Sequence, residues 1–592
     1  MPLDLYIGTQ TEDLPTISVG GITGASINVG GLAIRSDRGT SSAKLITDPA
    51  QLLTKYGQFK SNFYGHYAIR AFFRNLQGEP GQLWVVRVTA NDAVTASITV
   101  NNASANPVWK FWAGQRGEKD SGVWGNQVMA AVFASTSGKS TLAVATANTD
   151  TVITVVSVAP FKLYDWVTVS GATTYSAQVI AIDEVLNTLT LGTAATGVNA
   201  IGQNVTIVDR SVNIYVKDAI TGNIDLVETW MNLSLDPAHD RYWTNIINDE
   251  VTGSDYIFAE QLVTAQVGTF LDLPVTGAGT AAVAVKFTGG NNGSTPTNSD
   301  HAAAYKNFDL APINYLSNAE VFSESNWDDG ELYCSTRKDC VWIGTPLPGL
   351  SIDSLTIWAN KRRKSRIVYG LNNKDWVYVD DPIGVGPSPE KLVPNVGHVM
   401  GYAIYITSLR GIHKVPASRN QVLADITRLY DETTDRAQLK VYKNLGLNCI
   451  SNIDGSFAIR SARTPSKLKE RAFVNATLMS IYFKKSFEES LQDLENESNT
   501  AALLNNIRDM MNAFAFAFYQ GSSNGGNETG FASFKKPGGS DSGYSDVVLI
   551  IADGTVNPLS QVNEGILRVK FYFMAPAPAE SILIGVGLLF NR

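Results

Sequence analysis

Between Val212 and Thr295, an ordered series of local patterns limits most strongly what this chain can fold into. The alternating run VNIYVK predicts a strand, and a turn joins it to a second strand that carries the sequence ETWMNLS at 228–234. A helix ending near Asn248 and a glycine-rich corner at 289–293 follow. This order predicts an α/β domain in the middle of the chain. The segment contains no catalytic constellation.

The length and the charge of the chain set further limits. Its 592 residues exceed one hydrophobic core, so we expect about three or four domains. Charged residues make up 17% of the chain, below the ~25% typical of soluble domains. Uncharged polar residues and glycine fill the difference, which suits β structure and surface buried between subunits. The net charge of -8 disfavours direct binding of nucleic acid, for which basic stripes are typical.

The cysteine and hydropathy patterns indicate a soluble chain that folds in a reducing compartment. Cys334, Cys340 and Cys449 cannot all pair and lack CxxC spacing, so we expect no disulfide framework. The N-terminal sequence lacks the basic and apolar regions of a signal peptide, so we expect none. The run SILIGVGLLF at 581–590 is too short to cross a bilayer, so we expect no membrane insertion.

The first third of the chain reads as an arm, an α/β unit and a β-rich insertion. Residues 1–30 are rich in Gly, Ser and Thr and predict an extended arm. Residues 31–90 predict a strand, a helix starting at Asp48-Pro49, a helix stopped at Gly78 and the strand QLWVVRVTA. Residues 91–210 predict an outer β-rich domain, because short Val/Ile/Thr runs recur about every ten residues within 139–208. That spacing is typical of a small β-barrel or sandwich.

The remainder reads as the middle α/β domain at 211–350, a second α/β part at 351–575 and a C-terminal arm at 576–592. NVGHVMGYAIYITSLRG predicts a helix, and Asp454-Gly455 predicts the turn of a hairpin. Thr464-Pro465 predicts the start of one long helix reaching QDL, and a second helix runs to Gly521. The predicted fold class is therefore multi-domain, with α+β and α/β parts, an inserted β-barrel or β-sandwich and extended N- and C-terminal arms.

A series of short motifs in fixed order resembles the contractile phage tail sheath family of the myovirus type. The motifs are VRV (86–88), GVWGN (122–126), ETWMNLS (228–234), GGNNG (289–293), RKDC (337–340), PASRN (416–420), ART (462–464) and PAPAE (576–580). They extend over nearly the whole chain. The chain departs from the family at Ile459-Arg460-Ser461, where tryptophan-glycine is usual, and at Ala476-Thr477, where an arginine pair is usual.

The resemblance implies a conserved inner α/β domain built from both chain ends, with variable domains outside it. It also implies hexameric rings of self-associated subunits stacked around a tail tube, with baseplate and tail terminator proteins as partners and no cofactor. Such a subunit belongs to the tail sheath of a virion assembled in the host cytoplasm. The resemblance also implies that contraction of the sheath drives the tube through the host cell envelope. The alternatives are a sheath-like subunit of a phage-derived contractile injection system and a β-rich surface adhesin.

The arms are the predicted sites of assembly. The resemblance implies that each adds a strand to a sheet of a neighbouring subunit. A lone arm such as PTISVGGITGASINV buries too little apolar surface to offset its ordering entropy, whereas an open sheet edge offers main-chain hydrogen bonds and side-chain pockets. Head-to-tail exchange of this kind builds an open polymer. The predicted strand-exchange residues are Ile17, Val19, Ile22, Leu583, Val586 and Leu588.

Catalytic and nucleotide-binding interpretations find little support in the sequence. No metal-ligand spacing accompanies the histidines, which we expect to be structural; they are His66, His239, His301, His398 and His413. The P-loop lookalike SGKST (137–141) lacks the first glycine, whose place Phe133 takes. The basic run KRRK (361–364) predicts a solvated helix end, with a charged contact to tube or neighbour as the alternative.

Overall fold

The computed structural model describes residues 21–102, 105–218, 221–234, 236–262, 279–320, 323–363, 369–433, 435–521, 530–533, 536–537 and 540–579. Its largest sheet has seven strands in the order β2-β3-β1-β18-β19-β20-β24. All neighbours in it are parallel except the edge strand β2, which is antiparallel to β3. The strands are β1 (Val29–Ile34), β2 (Lys44–Ile46), β3 (Gln82–Arg87), β18 (Tyr315–Asn318), β19 (Val341–Gly344), β20 (Gly370–Asn373) and β24 (Leu447–Asn448).

Helices cover both faces of this sheet, as the apolar composition of its parallel strands requires. They are α1 (Gln51–Tyr56), α2 (Gly65–Asn75), α4 (Asn298–Lys306), α5 (Glu324–Arg337), α6 (Ile352–Arg362), α7 (Val396–Arg410) and α8 (Arg436–Asn444). Alternate residues of β1 enter two cores: Leu32 and Ile34 pack with α2 and α7, whereas Ala33 packs on the α4–α6 side. The sheet draws its strands from both sides of residue 350, and therefore crosses the domain limit predicted there.

Local signals place the first two helices with small offsets. The Asp48 carboxylate accepts the Ala50 N–H at 2.8 Å, but the helix begins only at Gln51, two residues beyond the predicted Asp48-Pro49 start. Helix α2 ends at Asn75, and Gly78 follows with a φ of 95°. The predicted stop is therefore correct in kind, because glycine adopts this left-handed conformation without strain.

Two sheets form the middle of the molecule, in the orders β15-β14-β7-β17 and β16-β5-β4. Trp109 and Trp243 stack between them with ring centroids 4.1 Å apart. Strands β7 and β14 pair from Ser135–Asp209 to Val128–Val216, so this sheet crosses the limit predicted at 210. The elements are β4 (Ser97–Asn101), β5 (Pro107–Gln115), β6 (Glu118–Lys119), β7 (Val128–Ser135), β14 (Asp209–Lys217), β15 (Ile224–Leu233), α3 (Trp243–Ile247), β16 (Ile257–Gln261) and β17 (Val285–Lys286).

A six-stranded barrel is inserted between β7 and β14. Its order is β8-β13-β10-β11-β12-β9, and a bridge between Leu142 and Val155 joins the two outer strands and closes it. Val167, Val179 and Val205 belong to a core of its own. The strands are β8 (Lys139–Thr141), β9 (Val152–Thr154), β10 (Trp166–Val169), β11 (Tyr175–Asp183), β12 (Thr188–Leu191) and β13 (Asn204–Ile207).

The last third of the chain adds small sheets and two long helices. The hairpin turn predicted at Asp454-Gly455 is confirmed, with φ of 51° and 84°. Helix α10 ends at Gly521, also as predicted. The elements are β21 (Trp376–Asp380), β22 (Glu390–Pro394), β23 (Arg428–Leu429), β25 (Ile450–Ile453), β26 (Ser456–Ile459), α9 (Val474–Leu491), α10 (Ala501–Gly521), α11 (Tyr544–Val547), β27 (Val548–Ile551), α12 (Leu559–Asn563) and β28 (Lys570–Phe573).

The predicted start of the long helix at Thr464-Pro465 is wrong, because α9 begins at Val474. The hydroxyl of Thr464 donates to the Arg471 carbonyl at 2.5 Å, and a bridge joins Arg463 to Phe473. These contacts fold the intervening residues into a loop, so the threonine side chain closes a turn instead of capping a helix.

Candidate assembly surfaces

Of the six predicted strand-exchange residues, only Ile22 lies within the described part of the chain, where it is partly exposed. Ile17, Val19, Leu583, Val586 and Leu588 lie outside the described residues. The structure does describe the last part of the predicted N-terminal arm, where the chain enters the body, and the first part of the predicted C-terminal arm, where the chain leaves it. These two places define the candidate assembly surfaces.

The N-terminal segment at 21–28 runs along α9, held by two serines one helical turn apart. The Thr23 N–H donates to Ser490 Oγ at 3.0 Å, and the Ala25 N–H donates to Ser486 Oγ at 2.9 Å. Serines four residues apart lie on one helix face, so they match the spacing of alternate N–H groups in an extended chain. Gly24 lies so close to the Tyr482 ring that a Cβ there would overlap it.

The C-terminal end of the body is an aromatic cluster under a two-stranded hairpin. Phe571 and Phe573 of β28 lie 4.9 and 5.3 Å from the Phe483 ring of α9, centroid to centroid. Phe518 of α10 and Phe531 complete the packing around Phe483, at 5.2 and 5.6 Å. Sequence alternation in this stretch predicts Leu567, Val569, Phe571 and Phe573 on one face. The structure confirms this for Phe571 and Phe573, whose rings both contact Phe483.

The buried Asn475 fixes the point at which the chain leaves this cluster. Its Nδ2 donates to the carbonyl of Pro576 at 2.8 Å and to the carbonyl of His413 at 2.9 Å. The start of the proline-rich PAPAE segment is therefore tied to the loop that follows α7. Nothing in the local sequence around Asn475 indicates this contact, because its two acceptors lie 62 and 101 positions away.

Two clefts flank these points. One of about 550 Å³ is lined by residues 25–28, by the end of α7 and by Phe514 and Phe518. The other, about 590 Å³, is lined by His413, Asn475 and residues 576–579. Arg410 lines both clefts, so they are neighbours. The chain ends thus join the body side by side, around the end of α7.

Among the described residues, the hairpin β27–β28 leaves an apolar face open and has no further strand on either edge, although the Ala532 N–H donates to the Met574 carbonyl at 2.9 Å just past the end of β28. Leu549, Tyr572 and Met574 are 55%, 50% and 48% exposed on the side facing away from the aromatic cluster. No described strand other than its partner pairs with either β27 or β28. An isolated two-stranded hairpin is marginally stable in water. The aromatic cluster stabilises one face, and the open edges can accept further strands by main-chain hydrogen bonds.

A buried ion pair joins the seven-stranded sheet to the middle of the molecule. Arg87 Nη1 donates to Asp120 Oδ1 at 2.5 Å, and its other donors reach the carbonyls of Ser36 and Asp37 at 3.0 Å. Burial raises the pKa of Asp120 to about 6, although Arg87 opposes the shift. The central arginine of the VRV motif therefore ties the seven-stranded sheet to the middle of the molecule.

The residues considered for chemistry have structural surroundings. All five histidines are buried, and burial lowers the pKa of His66, His301 and His398. The P-loop lookalike is a turn leading into β8. In the KRRK run, Arg362 is buried against Trp358 and Lys361 pairs with Glu324 at 2.9 Å, while residue 364 lies outside the described ranges. Nowhere in the described ranges do three or more His, Cys, Asp or Glu residues form a group that could hold a metal ion.

The described helices include none with the length and apolarity needed to span a bilayer.

Comparison with known proteins gives likeness in structure alone. No protein-family model matches the chain, and no curated protein sequence is similar to it. The sheath tail protein Lin1278 from Listeria innocua is similar in structure over 90% of both chains, with 10% identity and a TM-score of 0.50. The sheath tail protein DSY3957 from Desulfitobacterium hafniense matches over 93% of both chains, with 10% identity and a TM-score of 0.47. The contracted PVC sheath of an extracellular contractile injection system matches over 46% of this chain and 70% of its own, with 18% identity and a TM-score of 0.38.

At these identities the likeness to Lin1278 shows a shared fold.

Proposed function

We propose that this chain, which has the fold of a sheath tail protein, is the structural subunit of a contractile tail sheath. The observation that carries the proposal is the meeting of both chain ends beside an open hairpin. The entry at 21–28 and the exit at 574–579 both pack against α9, and the two flanking clefts share Arg410. A subunit that exchanges strands with its neighbours needs the attachment points of two arms to lie beside an acceptor sheet.

In the proposed assembly, the arms of neighbouring copies add strands to the open edges of β27 and β28. Ile17, Val19 and Ile22 on one arm and Leu583, Val586 and Leu588 on the other then bury their side chains against the exposed face of the hairpin. Leu549, Tyr572 and Met574 offer the apolar surface that such strands require. Because the donor and acceptor surfaces differ, the contact is head-to-tail and can repeat from copy to copy.

The proposed motion is a rearrangement of rigid bodies. The Arg87–Asp120 pair and the shared cores keep each subunit intact, while the arms act as hinges between copies. Hexameric rings would stack around a tail tube between a baseplate and a tail terminator protein, in a virion tail assembled in the host cytoplasm. Contraction would then drive the tube through the host cell envelope. A phage-derived injection system uses the same kind of subunit, so the proposal covers that case too.

Electron microscopy of the purified full-length chain tests the proposal. We expect helical tubes from the wild type, and folded but unpolymerised protein from Ile17→Asp/Val19→Asp and from Leu583→Asp/Val586→Asp, since aspartate does not fit an apolar strand site. The matched control is Val185→Asp, which changes an 89% exposed valine of the barrel and should leave the tubes unaltered. Normal tubes from both arm variants would refute strand exchange, and a wild type that stays monomeric at high concentration would refute the sheath function.

A further inference from the structure

A cleft of about 440 Å³ between α8 and the end of β26 concentrates positive charge on a chain whose net charge is -8. Four cationic side chains line it, and no carboxylate does. They are Arg436, Lys440, Lys443 and Arg460. At the C-terminal end of α8, Arg363 donates a hydrogen bond to the carbonyl of Asn444, which also lines the cleft. Arg363 thus adds a fifth positive charge beside it. Leu439, Leu447 and Cys449 complete the lining with apolar surface, which strengthens electrostatic interactions above it.

Bringing these positive charges together destabilises the cleft locally, which points to an anionic partner. Arg436, Lys440 and Lys443 follow one another at spacings of four and three on one helix face, where like charges repel. Arg436, Lys440 and Arg460 form no ion pair with any carboxylate among the described residues. An anionic group from another molecule would relieve this repulsion.

The same chain carries a complementary acidic surface at the end of α9. The segment 488–497 has five carboxylates, all exposed: Glu488, Glu489, Asp493, Glu495 and Glu497. Among them, only Glu488 has an ion pair within the described residues, with Lys484 at 3.5 Å. No hydrogen bond or ion pair between described residues joins this segment to the cleft, so the two surfaces do not satisfy each other within one copy.

We propose that the acidic segment 488–497 of one copy docks in the basic cleft of a second copy. This inference rests on the proposed polymerisation and deepens it. Because the acidic segment and the basic cleft are different surfaces of the same chain, the contact is head-to-tail and can repeat from copy to copy. Electrostatic attraction over several ångströms orients incoming copies and suppresses wrong registers. The pairs are exposed and hydrated, so they can separate and re-form as subunits move.

A charge-swap experiment on the full chain tests this docking. The basic variant carries Arg436→Glu and Lys440→Glu, the acidic variant carries Glu495→Lys and Glu497→Lys, and a third carries all four. In low salt, each two-site variant should need at least about tenfold more protein to polymerise, because like charges then face each other across the contact. The four-site variant should return close to the wild-type concentration. In about 1 M salt, where the Debye length is about 3 Å, the differences should disappear.

Matched controls reverse exposed charges outside both surfaces, namely Lys139→Glu/Lys286→Glu and Glu184→Lys/Glu250→Lys, and should polymerise like the wild type. Thermal unfolding establishes that every variant is folded. If the wild type polymerises and the two-site variants polymerise at the same protein concentration as the wild type, this inference is overturned and the sheath function stands. Two-site defects that the four-site variant fails to repair would overturn it as well, in favour of a different acidic partner. If the wild type itself does not polymerise, the sheath function fails first.

Discussion

At the scale of single residues, a buried hydrogen-bond network shows how the fold sets the charge state of a histidine. His301 Nδ1 accepts a hydrogen bond from Asn318 Nδ2 at 2.8 Å, and Asn318 Nδ2 also donates to the Tyr305 hydroxyl at 3.1 Å. Tyr305 in turn donates to Asn326 Oδ1 at 2.7 Å. An acceptor nitrogen must carry a lone pair, so the ring is neutral. Burial lowers the pKa of His301 to about 4, and the charge of Arg35 adds to the shift.

This pKa makes stability depend on pH in one direction. Between about pH 6.5 and pH 4 the unfolded chain binds a proton at His301 and the folded chain does not, so the free energy of unfolding falls as the pH falls. The contribution reaches about 3 kcal/mol. His301→Gln keeps an acceptor and cannot titrate, so the change in the free energy of unfolding from pH 7 to pH 5, measured in urea, should be more positive than in the wild type. The remaining slope combines the lowered pKa values of His66 and His398, which act in the same direction as His301, with the raised pKa of Asp120, which acts in the opposite direction. An unchanged slope would refute the neutral acceptor.

The sequence predicted which residues matter better than it predicted what they contact. It singled out Arg87 within the VRV motif, but Asp120 lies 33 positions away and its pairing depends on the register of two separate sheets. Nothing in the sequence indicated the role of Asn475 beyond the departure from the family pattern at the neighbouring Ala476-Thr477. Its side chain nevertheless holds the Pro576 carbonyl, where the chain leaves the body. Polar partners far apart in sequence leave no local pattern, because only tertiary structure brings them together.

At the scale of elements, the pair α2 and α7 shows why glycine stands inside an apolar helix. A Cβ at Gly397 would overlap the carbonyl of Ala68, and one at Gly401 would overlap the carbonyl of Phe72. The two helices therefore touch backbone to backbone. Gly401→Ala should lower the free energy of unfolding by about 2 kcal/mol through overpacking, although alanine is favoured over glycine in a helix by about 1 kcal/mol.

Chemical denaturation compares Gly401→Ala with Asn360→Ala, an exposed change on α6 where only helix propensity acts. Stabilisation by the control together with destabilisation by Gly401→Ala supports the close contact. Equal stabilisation by both would contradict it.

Element prediction succeeded where the signal was local. The hairpin turn at Asp454-Gly455 and the end of α10 at Gly521 follow from backbone preferences of a few residues. The predicted start of α9 was wrong because Thr464 bonds to Arg471 rather than to the next turn of a helix.

The resemblance motifs at 122–126 and 289–293 form one structure. The side-chain amide of Asn126 exchanges two hydrogen bonds of 2.9 Å with the backbone of Gly290, a contact that spans 164 positions.

At the scale of the whole molecule, the seven-stranded sheet is a frame into which the middle of the chain is inserted. Its strands come from residues before 88 and after 314, and the intervening chain builds the two middle sheets and the barrel. The sequence conveyed the order of these units because each has its own periodicity. It did not convey which strands share a sheet, since the pairing of β7 with β14 skips the 73 residues between them.

This insertion predicts that the barrel can be removed. Ser135 and Asp209 are paired residues of adjacent strands, so replacing residues 136–208 with Asn-Gly should convert β7–β14 into a two-residue hairpin. The barrel keeps its own core. The body loses the packing of Trp166 and Val208, the 3.0 Å contact of Asp165 with His239, and the contacts of Lys162 with Asp240 and of Gln178 with Asp236. We therefore expect the Tm of the shortened chain to change by no more than about 5 °C. It should still form tubes, narrower in electron micrographs if the barrel projects outward. If the shortened chain is unfolded while the isolated barrel is folded, the prediction is wrong. The body then depends on the barrel for its stability.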